Sequence, residues 1–351
     1  MIFSRTVVAS AMLVLAVPCS GFVPSSHSST PTATTKRRNF PNTPLHAIAA
    51  LAKKAKQADL KKYVATGVDD SVMSVYKEMK SAVSNVDMMN QTPGPLQQAL
   101  TKRKGTVTVI AEFKRKNSEA ENGYINTDVF APELLSPIFR EYGAAACAVM
   151  ADERMGGCTY EDLAAVVEEQ RRAQNDVPGP IPVINNDLII DELQVARTAA
   201  MGCAACVISL EICGEETTSD LLKAAKAANV EAIVSVSSAE DAQKAVDLGA
   251  RLISVIHVDG VDGKVQVVQD LVVPEGQKVC TIANILARNN KQLKEIEEAW
   301  ELRDKGFNSV WIGEALYKSG ANFSEHPGAI IKSMKSKSSV KWASPKGKEK
   351  Y

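Results

Sequence analysis

"VIAEFKRK", Val109 to Lys116, is an apolar run that ends in one carboxylate and three cations. Alternate side chains of a β-strand lie on the same face, so Glu112 and Lys114 point the same way if this stretch is a strand. One interpretation is an exposed strand end that carries a solvated ion pair. The other is a strand of a parallel barrel, in which the residues at the carboxyl ends of the strands surround a shared mouth where the chemistry takes place.

Eight such apolar runs alternate with amphipathic segments between residues 105 and 335, which favours the barrel. The predicted strands are Val107–Phe113, Ala146–Met150, Ile181–Ile184, Cys206–Leu210, Ala232–Val236, Leu252–His257, Val279–Ile282 and Ser309–Gly313. The predicted helices are Glu133–Tyr142, Tyr160–Gln174, Glu192–Met201, Ser219–Ala228, Ala239–Leu248, Val265–Leu271, Lys291–Lys305 and His326–Lys335. Eight β-then-α units are the count of a (β/α)8 TIM barrel. A doubly wound open sheet uses the same units, but no G-x-G-x-x-G follows the first strand, which disfavours its dinucleotide-binding form.

A helical extension is predicted before the barrel, over residues 48–104, and a basic tail after it. In one helical stretch of the extension, four residues follow the i, i+3, i+4, i+7 spacing of a single apolar face: Val72, Val75, Tyr76 and Met79. Residues 336–351 are rich in Lys and Ser and are predicted to be disordered. The predicted fold class is therefore α/β, a (β/α)8 barrel over residues 105–335 with an N-terminal helical extension.

The first 58 residues contain no Asp or Glu. Residues 1–20 are similar to a secretory signal peptide, because Arg5 precedes an apolar run, Val7 to Val17, that is too short to cross a bilayer. Residues 21–47 are basic and rich in Ser and Thr, like a transit peptide, and are predicted to be disordered. With Phe22 near the junction, the two segments resemble the bipartite presequences of algae with secondary plastids. They predict import into a plastid (chloroplast); an ordinary disordered N-terminus is the alternative.

The overall composition limits the classes of partner. Lys and Arg number 41, as do Asp and Glu, so net charge gives no support for a nucleic-acid partner. No stretch after residue 60 is apolar and long enough for a membrane span, so no membrane is predicted for the mature form. The seven cysteines are mostly in apolar runs and are interpreted as small buried hydrophobic residues. The Cys203-x-x-Cys206 pair leaves a redox or zinc site as an alternative, but no second Cys or His pair has ligand spacing, so no metal is predicted.

Polar residues gather where nearly every predicted strand ends, which is the expected mouth of the barrel. They are Glu112, Lys114, Asp152, Glu153, Asn185, Asn186, Asp187, Ser209, Glu211, Ser235, Ser237, His257, Asp259, Asn284, Gly313 and Glu314. These positions are the candidates for a functional site.

Five segments, taken in order, resemble the indole-3-glycerol-phosphate synthase family: "VIAEFKRKNS", "YGAAACAVMADERMGGCTYEDL", "IPVINNDLIIDELQVARTAAMGC", "DLGARLISVIHVD" and "GFNSVWIGEALYKSG". The resemblance runs from about Leu96 to Gly320 and includes the helical extension before the first strand. It implies a carbon–carbon lyase of tryptophan biosynthesis, which closes the indole ring of a carboxyphenylamino-deoxyribulose phosphate with loss of carbon dioxide and water. It implies a phosphorylated small-molecule substrate, no cofactor, and other tryptophan-pathway enzymes as partners.

The resemblance assigns catalytic roles to Glu112 and Lys114, which match the first-strand pair of the family. The general-acid lysine of the family falls on Asn186, and its fifth-strand glutamate falls on Ser235. An amide donates hydrogen bonds but cannot deliver a proton as an ammonium does.

Other residues are candidates to replace the missing groups or to hold the phosphate. Glu211, His257 and Asn186 are the candidate substitutes for the missing groups. Gly313 matches the glycine of the family's phosphate-binding turn, and Ser118 lies where the family has a Ser-Pro-Ser segment. Three hypotheses remain open: a synthase with an altered site, a barrel that has lost the reaction and acts as a binding or scaffold protein, and an enzyme for another phosphorylated substrate.

Overall fold

Eight parallel strands form a closed barrel in the computed structural model, in which each strand pairs with its neighbours in sequence and β1 pairs with β8. The strands are β1 (Thr108–Phe113), β2 (Ala146–Val149), β3 (Val183–Asn185), β4 (Ala205–Ser209), β5 (Glu231–Val236), β6 (Leu252–Val255), β7 (Cys280–Ile285) and β8 (Ser309–Ile312). This confirms the predicted (β/α)8 fold. The predicted seventh strand was too short, because β7 continues to Ile285 and so includes Asn284.

The structure describes residues 44–101, 105–116, 131–287, 294–317, 319–320, 323–324 and 327–336. The predicted signal-like segment and all but the last residues of the transit-like segment lie outside this part of the chain. Ser118 and residues 337–351 of the predicted tail also lie outside it.

The helices are α1 (Pro44–Thr66), α2 (Asp70–Ala82), α3 (Pro95–Leu100), α4 (Pro132–Glu141), α5 (Tyr160–Arg172), α6 (Glu192–Ala200), α7 (Leu210–Ala227), α8 (Ala239–Asp247), α9 (Val261–Val268), α10 (Lys294–Asp304) and α11 (Pro327–Lys335). A small antiparallel pair, β9 (Ser319–Gly320) and β10 (Phe323–Ser324), precedes α11. The predicted start of the fourth barrel helix at Ser219 was wrong, because α7 begins nine residues earlier. Gly214, at φ 78°, interrupts its first turns, and this break hides the helical periodicity in the sequence.

The strands place alternate residues on the two faces of the barrel wall, as the two-residue period of a strand requires. In β1, Ile110 packs inside the barrel, whereas Val109 and Phe113 pack outward against the helices. In β8, Trp311 points inward, and Val310 and Ile312 point outward. The same alternation therefore carries Glu112 inward.

The extension closes the end of the barrel opposite the mouth. Leu96 and Leu100 of α3 are fully buried and pack against inward residues such as Ile233. At the amino end of β5, the Glu231 carboxylate accepts hydrogen bonds from the backbone N–H of Leu96 at 2.5 Å and of Gln97 at 3.0 Å. These bonds satisfy amides that a helix start leaves without partners. The helix α3 is thus a plug for the barrel floor. The extension begins earlier than the predicted residue 48, because α1 starts at Pro44.

The described cysteines are free and buried, as expected for small apolar residues. Burial raises the pKa of Cys203 and of Cys206 to about 12, so neither thiol is a thiolate near neutral pH. In the described part of the chain, no helix combines the length and apolar character of a bilayer span.

Truncation of the plug is expected to destabilise the fold. The change Leu96→Ala leaves a cavity at a fully buried site and should lower the free energy of unfolding by about 2–5 kcal/mol. The control Leu51→Ala, at a side chain that is 67% exposed on α1, should change it by less than about 0.5 kcal/mol. Urea denaturation measures both; equal effects of the two changes would contradict the assignment of α3 as a plug.

Candidate active site

A cavity of about 310 Å³ opens at the carboxyl ends of the strands. Each of the eight strands contributes a residue at or near its end: Glu112, Met150, Asn186, Val207, Ser235, Ser254, Asn284 and Trp311. Lys114, His257, Gly313 and Glu314 complete the polar part of the lining. This cavity is the mouth where barrel proteins of this kind carry out their chemistry.

The carboxyl group of Glu112 is buried in the lining of the mouth, with the residue only 5% exposed. Its Oε1 atom accepts a hydrogen bond from the amide of Asn186 at 2.6 Å, and Trp311 donates another. Burial is the largest influence and raises the pKa of Glu112 above its usual value, although Lys114 and these two hydrogen bonds lower it in part. The carboxylate of Glu314 adds to the rise. Its surroundings therefore favour the protonated form of Glu112 more than water does.

Lys114 pairs with a residue from the opposite end of the barrel sequence. Its ammonium lies 2.5 Å from Oε1 of Glu314, just after β8, and both side chains are partly buried. The first and last strands are neighbours in the closed barrel, so the pair spans the seam between them. The only ammonium in the described lining of the mouth is thus neutralised by a carboxylate beside it.

Gly313 gives the Glu112 carboxyl the space that it occupies. A Cβ atom built at position 313 would collide with Oε2 of Glu112. The resemblance assigned Gly313 to phosphate binding, and the structure adds a steric requirement for glycine at the same place.

The remaining candidates differ in position. Asn186 and Ser235 lie in the mouth at the predicted places, and the Ser235 hydroxyl is 3.4 Å from the backbone carbonyl oxygen of Ile208. His257 is exposed at the rim, where its φ of 57° puts it in the left-handed region. Glu211 is in the first turn of α7 and is not part of the cavity lining. The structure therefore brings Glu112, Lys114, Asn186, Ser235, His257 and Gly313 together and leaves Glu211 apart.

Sequence reasoning missed the roles of Trp311 and Glu314 as partners of the two catalytic candidates. Trp311 lies two residues before Gly313, so the strand period predicts that both face inward, and this pattern could have identified it. Nothing local indicates that Glu314 pairs with Lys114, because 200 residues separate them. Among the described residues, no three His, Cys, Asp or Glu side chains are grouped to hold a metal ion.

The fold and the site define a class: a (β/α)8-barrel protein with a buried carboxyl and a paired lysine at its mouth. The family model for indole-3-glycerol phosphate synthase matches residues 57–324, and the chain belongs to this family. The match confirms the resemblance seen in the sequence and covers most of the extension and of the barrel.

Similar proteins bear the same family name. The chain is 31% identical to indole-3-glycerol phosphate synthase of Leptospira interrogans serogroup Icterohaemorrhagiae serovar copenhageni over 150 residues, which are 43% of this chain and 55% of that protein. It is 26% identical to indole-3-glycerol phosphate synthase of Opitutus terrae over 241 residues, 68% of this chain and 86% of that protein.

Among solved structures, thiamine phosphate pyrophosphorylase from Pyrococcus furiosus aligns with a TM-score of 0.44 and 16% identity, over 66% of this chain and 95% of that chain.

The raised pKa of Glu112 predicts a pH-dependent stability difference between the wild type and Glu112→Gln. Below the pKa of a glutamate in the unfolded chain, the Glu112 carboxyl is protonated in both the folded and the unfolded state. Its titration then makes no contribution to the free energy of unfolding. As the pH rises from that value to the folded pKa, the wild type loses roughly 1.4 kcal/mol of stability for each pH unit between the two pKa values, whereas the glutamine variant does not.

Thermal unfolding from pH 4 to pH 8 measures this difference. The Tm of Glu112→Gln should gain on that of the wild type as pH rises. The control Glu275→Gln, at an exposed carboxylate, should show a constant difference. Parallel curves for wild type and Glu112→Gln would contradict the burial argument.

The contact at Gly313 predicts a coupled effect. The change Gly313→Ala should lower the free energy of unfolding by about 1–3 kcal/mol, because the new methyl group displaces the Glu112 carboxyl. In a Glu112→Ala background the same change should be nearly neutral, a coupling that a double-mutant cycle measures. The control Gly179→Ala, where the nearest atom would be 3.7 Å away, should have little effect in either background. Equal costs of Gly313→Ala in both backgrounds would rule out the contact.

Proposed function

We propose that this chain catalyses the indole-3-glycerol-phosphate synthase reaction of tryptophan biosynthesis with an altered set of acid–base groups. Its substrate is a carboxyphenylamino-deoxyribulose phosphate. The observation that carries the proposal is the buried Glu112 carboxyl in the mouth of a barrel of this family, with a pKa raised by burial. A carboxyl whose pKa lies above its usual value keeps its proton to higher pH and is better suited to act as a general acid.

The reaction needs protons at two steps and a base at a third. The ring carbon that bears the carboxylate attacks the ketone carbon, and the ketone oxygen takes a proton to become a hydroxyl. Loss of carbon dioxide restores the aromatic ring. The hydroxyl then takes a second proton and leaves as water, while the methylene carbon beside the nitrogen loses a proton. One proton is consumed overall, and carbon dioxide and water are released.

In this proposal the mouth contains a proton donor and a base for these steps, and the donor regains a proton from solvent between the first and the second proton transfer. Protonated Glu112 supplies the proton to the ketone oxygen and is held for this by the Asn186 amide at 2.6 Å. Lys114 attracts the anionic substrate, and its partner Glu314 accepts the methylene proton. Asn186 and Ser235 replace the lysine and glutamate that the family resemblance expects, and each lost acid or base is typically worth ~10²–10⁴-fold in rate. We therefore expect slow turnover.

A second candidate function is binding without turnover, as in a scaffold protein. The Lys114–Glu314 pair favours the absence of turnover, because the carboxylate of Glu314 already neutralises the ammonium that would attract the anionic substrate. Other tryptophan-pathway enzymes are the proposed partners in both cases. A plastid location is also proposed, on the presequence pattern alone, and imaging of a fluorescent fusion of the full chain tests it.

Restoration of the replaced groups tests the proposed reaction. The wild type should form indole-3-glycerol phosphate slowly, and the double variant Asn186→Lys with Ser235→Glu should raise kcat by about 10²-fold or more, because it restores an ammonium and a carboxylate at the mouth. Glu112→Gln should abolish turnover in the wild-type background. Product fluorescence in a continuous assay measures all three.

Glu211→Gln is the matched control, since this carboxylate lies outside the cavity lining, and it should leave kcat unchanged. A folded wild type without turnover, together with a folded double variant without turnover, would favour the binding function. A large effect of Glu211→Gln would instead indicate that Glu211, in α7, is the catalytic base.

A further inference from the structure

Lys56 of α1 contacts the turns that follow β2 and β3. The residue is only 6% exposed, and its ammonium lies 2.5 Å from Oδ1 of Asp187 and also pairs with Asp152. Asp152 follows β2 and Asp187 follows β3, so one ammonium joins the carboxyl ends of two neighbouring strands. Burial alone lowers the pKa of Lys56, but the attraction and hydrogen bonds of the two carboxylates outweigh it and raise the pKa. Lys56 is thus a permanent cation in this position.

Several hydrogen bonds and an ion pair to Asp187 hold the turn after β3 in place. Oδ2 of Asp187 accepts hydrogen bonds from the Tyr160 hydroxyl at 2.7 Å and from the Gln194 amide at 3.2 Å. Its backbone N–H donates to Oδ1 of Asn185 at 3.1 Å. Tyr160 and Gln194 are neutral donors, whereas Lys56 brings a full positive charge to this carboxylate, and charge-assisted hydrogen bonds are stronger than neutral ones.

Asn186 lies between these two anchored residues and points into the mouth. Asn185 on one side donates to the Thr198 hydroxyl at 2.9 Å, and Asp187 on the other side is bound to Lys56. The Asn186 amide is consequently directed at the Glu112 carboxyl, 2.6 Å away. A short path of contacts therefore connects the N-terminal extension to the carboxyl in the mouth.

We propose that Lys56 is a positioning residue: by fixing Asp187, it holds the Asn186 amide in its hydrogen bond to Glu112. The effect of Lys56 on turnover rests on the proposed function, whereas its effect on Glu112 does not. A purely structural alternative exists, because α1 is also tied to the barrel by the Lys53 ammonium at 3.2 Å from the Ile212 carbonyl and by Arg197 stacked 4.2 Å from the Tyr63 ring. The test must separate the two roles.

Trp311 offers a direct reporter of the Glu112 carboxyl, since it donates a hydrogen bond to it. Its fluorescence should change as Glu112 titrates, and Glu112→Gln should remove this transition. The charged groups that influence this carboxyl are Lys114 and Glu314, and His257 lines the same cavity. Cys147, Cys158 and Tyr317 also interact with it, but burial raises the pKa of all three, so they are neutral near neutral pH. All six residues stay unchanged in every variant. In Lys56→Met, loss of the Asn186 hydrogen bond should move the transition to higher pH by about one unit, the size expected for a lost charge-assisted hydrogen bond.

Two controls make the result specific. Lys61→Met makes the same change at an exposed lysine of α1 and should leave the transition at its wild-type pH. The double variant Lys56→Met with Asp187→Asn removes one positive and one negative charge, so the net charge is unchanged and no aspartate at position 187 is left unpaired. The shift of the Glu112 transition should persist in this variant if Lys56 acts by positioning Asn186. It should vanish if Lys56 acts only through the electric field of its charge. The double variant also serves if Lys56→Met alone does not fold.

A variant that lowers Tm but keeps the wild-type titration would overturn the proposal and assign Lys56 to stability alone. A shift that disappears in the charge-balanced variant would overturn it as well. If the wild type turns over its substrate, kcat of Lys56→Met should fall about tenfold or more, since misplacement of a catalytic group by about 1 Å can cost 10²-fold. If the wild type shows no turnover but the titration shifts as expected, the proposed function fails and the role of Lys56 stands.

Discussion

Burial of the Glu112 carboxyl is the constraint on which the arrangement of the mouth depends. A carboxyl withdrawn from water is costly unless it keeps a proton or gains hydrogen bonds, and here it receives donors from Asn186 and Trp311. The same carboxyl excludes a Cβ atom at Gly313. Residues from β8 and from the turn after β3 thus contact one side chain of β1. The barrel brings them together because its strands pair in sequence order and β8 closes on β1.

Asn186 places a neutral amide against the Glu112 carboxyl. The amide donates a hydrogen bond to the carboxyl, but it supplies no positive charge that would lower the pKa further. Lys114 pairs directly with Glu314 while it also attracts Glu112, so the ammonium is shared between two carboxylates. The effect of burial is therefore only partly offset by these groups, and the pKa of Glu112 stays above its usual value.

The fold could be predicted because the periodicities that define strands and helices are local features of the sequence. The two-residue period of Val109–Phe113 predicts that Glu112 points inward. Eight such runs fit both a closed barrel and a doubly wound open sheet, and the absence of G-x-G-x-x-G after the first strand favoured the barrel, which the structure confirms. The contacts that could not be predicted join residues that are far apart in the sequence. Lys114 and Glu314 are 200 residues apart, Lys56 and Asp187 are 131 apart, and no local pattern links either pair. Glu211 follows a predicted strand end like the other candidates, but α7 begins at Leu210 and carries it away from the cavity.

The plug formed by α3 breaks the eightfold repetition of the barrel at one end. A six-residue helix that belongs to none of the β–α units supplies two leucines to the interior, so the inner layer of the barrel is shared between the repeats and the segment before them. During synthesis on the ribosome this helix emerges ahead of every strand, whereas β8, the strand that completes the ring, emerges nearly last. The helix at the floor is therefore synthesised before the strands that it contacts, and its apolar side chains are fully enclosed only after β8 pairs with β1.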